Sequence, residues 1–281
     1  MNQLKTVVLL GALTGLLIFI GGAIGGQSGM MIAFVIAVVL NFISYWFSDK
    51  IVLSLYKAKE VQENDEPRLF SIVRKLTAQD GLPMPKIYII PTDTPNAFAT
   101  GRNPEHAAVA VTRGLIGMLN EEELEGVLGH ELSHVKHRDI LISSISATIA
   151  GAIMILARMA MFAEFFGGFN NRNKKGGLLV MLAFAILAPV AATVIQLAIS
   201  RSREFMADEG SAGLTGNPNG LISALKKISY GNARLPMNSN PSTAHMFIIS
   251  PFHGKGVLSL FSTHPPVEAR IERLEKMMYG R

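Results

Sequence analysis

The sequence contains no cysteine. That excludes disulfides, thiolate metal sites and thiol nucleophiles, and leaves histidine and carboxylates as the strong metal ligands. Charge is scarce as well: 17% of the 281 residues are Asp, Glu, Lys or Arg, where a soluble globular chain averages about 25%. Apolar residues fill the gap, at 49% of the chain with a mean hydropathy of +0.33. This exceeds what a soluble core of that size needs, so part of the surface is expected to face lipid. Disordered, collagen-like and disulfide-scaffold classes are excluded by the same composition. The net charge of +5 would suit nucleic acid or an anionic membrane surface, and the apolar excess favours the lipid bilayer, with no nucleic-acid partner.

Four apolar runs carry that excess. Thr6 to Gly26 and Met30 to Ser48 hold no charged residue and are separated by Gln27-Ser28-Gly29, which reads as two spans and a tight hairpin. The length of the first run and the second run that follows it at once set it apart from a cleaved leader. Ile140 to Phe166, broken only by Arg158 and Glu164, and Leu178 to Ser200 read as two further spans, the last kinked at Pro189. The expected architecture is a mainly α integral membrane protein of four transmembrane helices plus a cytosolic α+β domain with a small β-sheet. Residues 1–48 form the first span pair, 49–139 the first part of the soluble domain, 140–200 the second span pair and 201–281 the rest of the domain. An even span number places both polar regions on one side. Lys50, Lys57, Lys59, Lys136, Arg138, Arg201 and Arg203 flank the spans there, against Arg172, Lys174 and Lys175 opposite, so that side is expected to be the cytosol.

Within the polar regions, Leu69, Ile72, Val73 and Leu76 recur at helical spacing in 66–78, closed by Gly81 and Pro83. Residues 86–90, 97–100 and 107–111 read as three short strands of one sheet. Asn120 with Glu123 three positions on predicts a capped helix start. Helices are also predicted from Asn217-Pro218, with Leu221, Leu225 and Ile228 on one face, and from His264-Pro265-Pro266, with Val267, Ile271, Leu274 and Met278. The Asn-, Ser-, Pro- and Gly-rich stretch from Gly231 to Ser262 reads as a mobile loop.

The chemistry lies in His130-Glu131-Leu132-Ser133-His134. On a helix, residues four apart share a face, so both imidazoles can bind one Zn²⁺ while Glu131 stands beside the open position as general base for a zinc-activated water. Catalytic zinc usually takes three protein ligands. A third histidine six residues beyond His134 is ruled out because that position is Ile140. The favoured ligand is Glu204, with Asp208 one turn on placed to orient a zinc histidine, a gluzincin arrangement. His106, His137, His245 and His253 read as solvated surface residues. Asn96, Ala97, Phe98 and Ala99 read as an edge strand onto which an extended substrate could add.

Taken together, the His130–His134 motif, Ser202-Arg203-Glu204-Phe205-Met206-Ala207-Asp208 straight after the fourth run, Asn96 to Gly101, and Thr263 to Ile271 resemble the HtpX family of bacterial heat-shock membrane proteases. More distantly they resemble the CAAX prenyl proteases. The likeness runs the length of the chain in order. It implies a zinc metalloendopeptidase of the bacterial inner membrane with one Zn²⁺, ligands His130, His134 and Glu204 and base Glu131, acting on misfolded or damaged membrane proteins and unfolded polypeptides. It also implies that His264 and Arg270 face the site, where both have the chemistry to stabilise an oxyanion. CAAX proteases have more spans enclosing a chamber, which argues against prenyl processing here. A non-catalytic zinc scaffold is disfavoured by the presence of Glu131, and a transporter by the absence of Asp or Glu deep in any span. Because no Pro or Gly lies between His134 and Ile140, the His130 helix is expected to run unbroken into the third span, with the metal within about 15 Å of the membrane.

Overall fold

A computed structural model describes residues 2–167, 193, 200–235, 240–250 and 264–279. The chain opens with helix α1 (Asn2–Leu55), which folds back on itself at Gly25 and Gly26. The reversal falls slightly before the expected Gln27–Gly29 break because Gly26 adopts φ 57°, a left-handed conformation that glycine enters without side-chain strain. The two arms run antiparallel: Asn41 Nδ2 donates to Leu10 O (3.3 Å) and Thr14 Oγ1 (2.9 Å). Gly25–Leu55 has a mean hydropathy of 2.2 over its most apolar window, of which 11% is buried. Its 31 residues reach roughly 46 Å, longer than a ~30 Å bilayer core. An apolar helix so little covered by its own chain is suited to lipid rather than to a soluble core. Leu4–Phe19 and Asp139–Met154 are shorter apolar helical stretches, and the run from Leu178 lies outside the described residues, apart from Thr193 and Ser200.

The polar regions form one body. Strand β1 (Lys59–Glu60) is followed by α2 (Pro67–Asp80), β2 (Lys86–Ile90), β3 (Ala97–Gly101), β4 (Ala107–Thr112) and the short α3 (Arg113–Met118). The sheet has four strands in the order β1-β2-β4-β3, with β2 and β4 parallel and the other pairs antiparallel. The unexpected strand is the two-residue β1, an exposed Lys-Glu pair with no apolar alternation to reveal it. Helices α4 (Glu121–Lys136), α5 (Asp139–Gly167), α6 (Arg201–Thr215), α7 (Pro218–Arg234) and α8 (Val267–Tyr279) complete the described elements. The predicted stripes form the core: Leu69, Ile72, Val73, Leu76, Leu221, Leu225, Ile228 and Leu274 all pack into one buried cluster.

Two expectations need correction. The His130 helix does not run into α5: α4 ends at Lys136, and Arg138 takes φ 58° before α5 starts at Asp139. The break makes Asp139, rather than Ile140, the first residue of α5, and it turns that carboxylate back toward α4. The Gly231–Ser262 stretch is not a uniformly mobile loop. Gly231 belongs to α7, and residues 242–249 are buried. Phe247 explains the packing, since it makes edge contacts with Tyr56 and Phe98 at centroid separations of 5.0 and 5.3 Å.

Candidate active site

Helix α4 positions the motif. Asn120 accepts from the Glu123 N–H and Glu123 Oε2 accepts from the Asn120 N–H, both at 2.9 Å, the reciprocal cap that the sequence predicts. Ser223 and Lys227 of α7 donate to the same carboxylate at 2.6 and 2.8 Å, which fixes α4 against α7. A Cβ at Gly126 would lie 2.6 Å from the Leu221 amide nitrogen, so only glycine permits this crossing. His130 and Glu131 are thereby buried, while His134 stays partly open.

Glu204 reaches this face from α6. His130 Nε2 and His134 Nε2 are 3.2 Å apart, and the Glu204 carboxylate oxygens lie 3.8 and 3.6 Å from them respectively. Zn–N bonds of about 2.05 Å at the tetrahedral angle require ligand separations of about 3.3 Å, so the triangle fits a zinc ion. The buried Glu204 carboxylate calls for a positive charge beside it, which a protonated imidazole or a metal ion replacing that proton supplies. Burial first, then the nearby Arg270 and His134 charges, lower the His130 pKa to about 4 against the pull of Asp208, leaving the ring neutral as a ligand must be. Burial raises Glu131 to about 7, with Glu204 adding to the shift. Burial would lower His134, but the Asp139 hydrogen bond and the Glu204 and Glu131 charges outweigh it and raise the pKa to about 9. Glu204 is held well below the carboxylate range: burial opposes this, and the His264 charge and hydrogen bond and the His134 charge overcome it.

Each imidazole is oriented from behind. His130 Nδ1 donates to Asp208 Oδ1 at 2.9 Å, and Arg270 grips Asp208 through Nε (2.9 Å) and a terminal nitrogen (2.6 Å). The Arg270–His130 approach of 3.4 Å is weaker than the carboxylate contact, which therefore assigns the Nδ1 proton to Asp208 and leaves Nε2 with a free lone pair that could hold a metal ion. On the other side His134 Nδ1 donates to Asp139 Oδ2 at 3.2 Å, and Arg203 donates to Asp139 Oδ1 at 2.9 Å. The sequence reading missed both Asp139 and Arg203. Their signal was the break at Arg138, which no Pro or Gly announces.

A narrow cleft of about 40 Å³ opens beside these side chains, lined by Ala99, Glu131, Ser143, His245, Met246 and His264 among others. His264 does face the site. Its Nδ1 lies 2.9 Å from Glu204 Oε2 and its Nε2 3.1 Å from the His245 carbonyl. Arg270 is not on the cleft wall; its guanidinium is buried against Asp208 and also donates to Ile248 O at 2.7 Å. Of the proposed substrate strand, β3 is indeed an edge strand, and only Ala99 lines the cleft. Asn96 O accepts from Thr112, so by strand alternation Ala97 and Ala99 present their backbone groups to the free edge. Ala97 O already accepts from the Ile248 N–H, the Asn96 side chain donates to Ile249 O, and Phe98 is packed in the aromatic cluster. His245 is corrected from a surface residue to a buried one, with Nε2 on Ser143 O at 3.1 Å. His106 and His137 are exposed, and His253 lies outside the described residues.

A His-Glu-x-x-His helix set against a second helix that supplies a glutamate and, one turn later, an aspartate defines a gluzincin-type metallopeptidase. The chain belongs to Peptidase family M48, whose profile matches residues 63–278. Over nearly its full length it is similar to proteins named Protease HtpX homolog. That of Syntrophobacter fumaroxidans is 55% identical over 280 residues, covering 98% of this chain and 99% of the relative. That of Syntrophotalea carbinolica is 56% identical over 279 residues, covering 99% of each. The one from Pyrococcus furiosus is 55% identical over 274 residues, covering 97% of this chain and 95% of the relative. The crystal structure of S. mikatae Ste24p shares the fold, with a TM-score of 0.52 and 19% identity over 98% of this chain and 65% of Ste24p. The protein is accordingly a metalloendopeptidase, a hydrolase of peptide bonds.

Proposed function

We propose that the protein is a multi-pass, membrane-embedded zinc endopeptidase that cleaves misfolded or damaged membrane proteins and unfolded polypeptides on the cytosolic side of a bacterial inner membrane. The observation that carries this is the His130–His134–Glu204 triangle with the Glu131 carboxyl beside it, next to the first residue of α5, the helix that packs along the apolar α1. Zinc held there supplies a Lewis acid and lowers the pKa of water to near neutrality. Glu131 Oε1 is buried without a hydrogen-bond partner among the described residues, so this carboxyl is free to take the proton of the attacking water and pass it to the leaving amine. His264 lies on the cleft wall and would support a developing oxyanion by exchanging its Nε2 bond to the His245 carbonyl for one to the oxyanion. Arg270 acts through Asp208 and His130. The cleft has room for a few waters but not for folded chain, so the substrate enters extended.

The four-span count and the cytosolic orientation belong to the same proposal, as does a membrane-proximal cut. Leu9 and Leu13 of α1 pack with Ile142, Ile145, Ile149 and Ile153, so α5 runs beside the first arm of α1, and its first residue touches His134. The scissile bond would then lie close to the lipid surface. Moving one cleavable sequence along a flexible tail of an anchored substrate tests this: rates should fall with distance from the bilayer, and distance-independent rates would contradict it. Substituting Glu204→Ala should abolish stoichiometric zinc, whereas His137→Ala, on an exposed side chain, should leave zinc content unchanged.

A further inference from the structure

Beyond the protease cleft, a second cavity of about 690 Å³ lies where the mouth of the α1 hairpin, the end of β3, the α4–α5 break and the start of α6 meet. Its charged lining is Lys5, Arg102, Arg138, Arg203 and Asp139, a surplus of cations over the single carboxylate. The Lys5 ammonium feels both the Arg203 and Asp139 charges, so the groups share one electrostatic field. The first turn of α6 also faces the cavity through Ser200 and Ser202, and Ser200, its N-cap, makes no side-chain capping bond. A helix start of this kind favours a negative charge. Other walls are apolar: Val7, Leu141 and Met206 line the same space. Tyr45, also on the wall, stands next to Trp46, and the Arg102 guanidinium stacks over the Trp46 ring at 4.7 Å. Exposed Tyr and Trp at the end of an apolar arm mark the headgroup level of a bilayer.

We infer that this cavity binds the phosphate of an anionic glycerophospholipid, with the headgroup among Lys5, Arg102, Arg138 and Arg203 and the glycerol and upper acyl chain against Val7, Leu141 and Met206. A free phosphate shares the headgroup chemistry, but it would leave the apolar walls unused. The inference rests on the membrane reading above. It also gives a lipid a route to the catalytic centre, because Arg203 and Asp139 line the cavity and Asp139 orients His134.

The test uses the full-length holoenzyme in neutral detergent, titrated with phosphatidylglycerol or phosphatidylcholine and read by native mass spectrometry. Phosphatidylglycerol should bind one per chain and at least tenfold more tightly than phosphatidylcholine. Each pocket cation contributes about fivefold near a membrane surface, so Lys5→Gln with Arg102→Gln should weaken binding roughly 25-fold. Lys50→Gln with Lys57→Gln, which removes equal charge outside the cavity, should change it less than twofold. Equal affinity for the two lipids, an unchanged pocket double variant, or equal losses in both double variants would overturn the site. Displacement by stoichiometric glycerol 3-phosphate would overturn the lipid in favour of a soluble phosphate. Two separate measurements isolate the underlying reading. Failure to float with liposomes of either composition would reject the membrane assignment, and absence of peptide hydrolysis with lipid binding intact would reject the protease assignment alone.

Discussion

Two arms hold the two imidazoles of this site, and each has the same parts in a different setting. In the first, Arg270 holds Asp208 and Asp208 holds His130, and all three side chains are 1% exposed. In the second, Arg203 holds Asp139 and Asp139 holds His134, with side chains 15, 10 and 16% exposed. The first arm is assembled from α4, α6 and α8 inside the soluble core. The second is assembled from α4, α5 and α6 at the mouth of the α1 hairpin. A buried charge that loses its partner cannot recruit water, whereas one at a rim can. Identical chemistry should therefore matter to folding in the first arm and mainly to metal geometry in the second.

The largest contrast is expected on removing an arginine or its aspartate partner. Asp208→Ala leaves Arg270 buried and unpaired and should destabilise the fold by about 3–5 kcal/mol, read by denaturant unfolding. Asp139→Ala removes a partner from Arg203 in a less deeply buried setting and should cost less, about 1–3 kcal/mol. Equal losses would remove the distinction between the arms. Next in size is metal affinity: Asp208→Asn and Asp139→Asn, which keep shape but not charge, should each weaken zinc about 10- to 100-fold by competition with a chelating dye. If only Asp208→Asn has an effect, Asp139 does not orient His134.

The smallest effect concerns pH. Burial works against ionisation of both aspartates. The Arg270 charge and the His130 hydrogen bond outweigh it at Asp208, and the His134 hydrogen bond and the His134 and Arg203 charges do so at Asp139, so both pKa values are lowered. A carboxylate with a depressed folded pKa adds stability that is present above its unfolded value near 4 and is lost as pH falls through the folded value. Metal-free protein should therefore lose melting temperature on acidification below about pH 4, and Asp208→Asn should flatten that loss more than Asp139→Asn. A steeper dependence in Asp208→Asn would reverse the assigned sign.

The first arm was largely legible in the sequence and the second was not. Asp208 sits one helical turn from Glu204, so spacing alone places the two on one face, and the helix caps and apolar stripes that build the core around them are local signals. Asp139 could not be read this way, because its role depends on the left-handed Arg138, and nothing in His137-Arg138-Asp139 forbids a continuous helix. His245 was hidden for another reason: a polar, loop-like stretch precedes it, while the short apolar run Met246-Phe247-Ile248-Ile249 directly after it is what packs the segment into the core. The tasks of Arg270 and His264 depend on contacts across 62 and 60 residues of chain, which no local pattern encodes.

The central claim is that His130, His134 and Glu204 hold zinc while Glu131 is the base and not a ligand. The most direct test is one preparation of Glu131→Gln, assayed for bound zinc and for hydrolysis of an unfolded protein in parallel with the parent chain. The account predicts one zinc per chain in both and a fall in kcat of at least about 10²-fold in the variant. Loss of the zinc would make Glu131 a ligand, and undiminished hydrolysis with zinc retained would contradict its role as base.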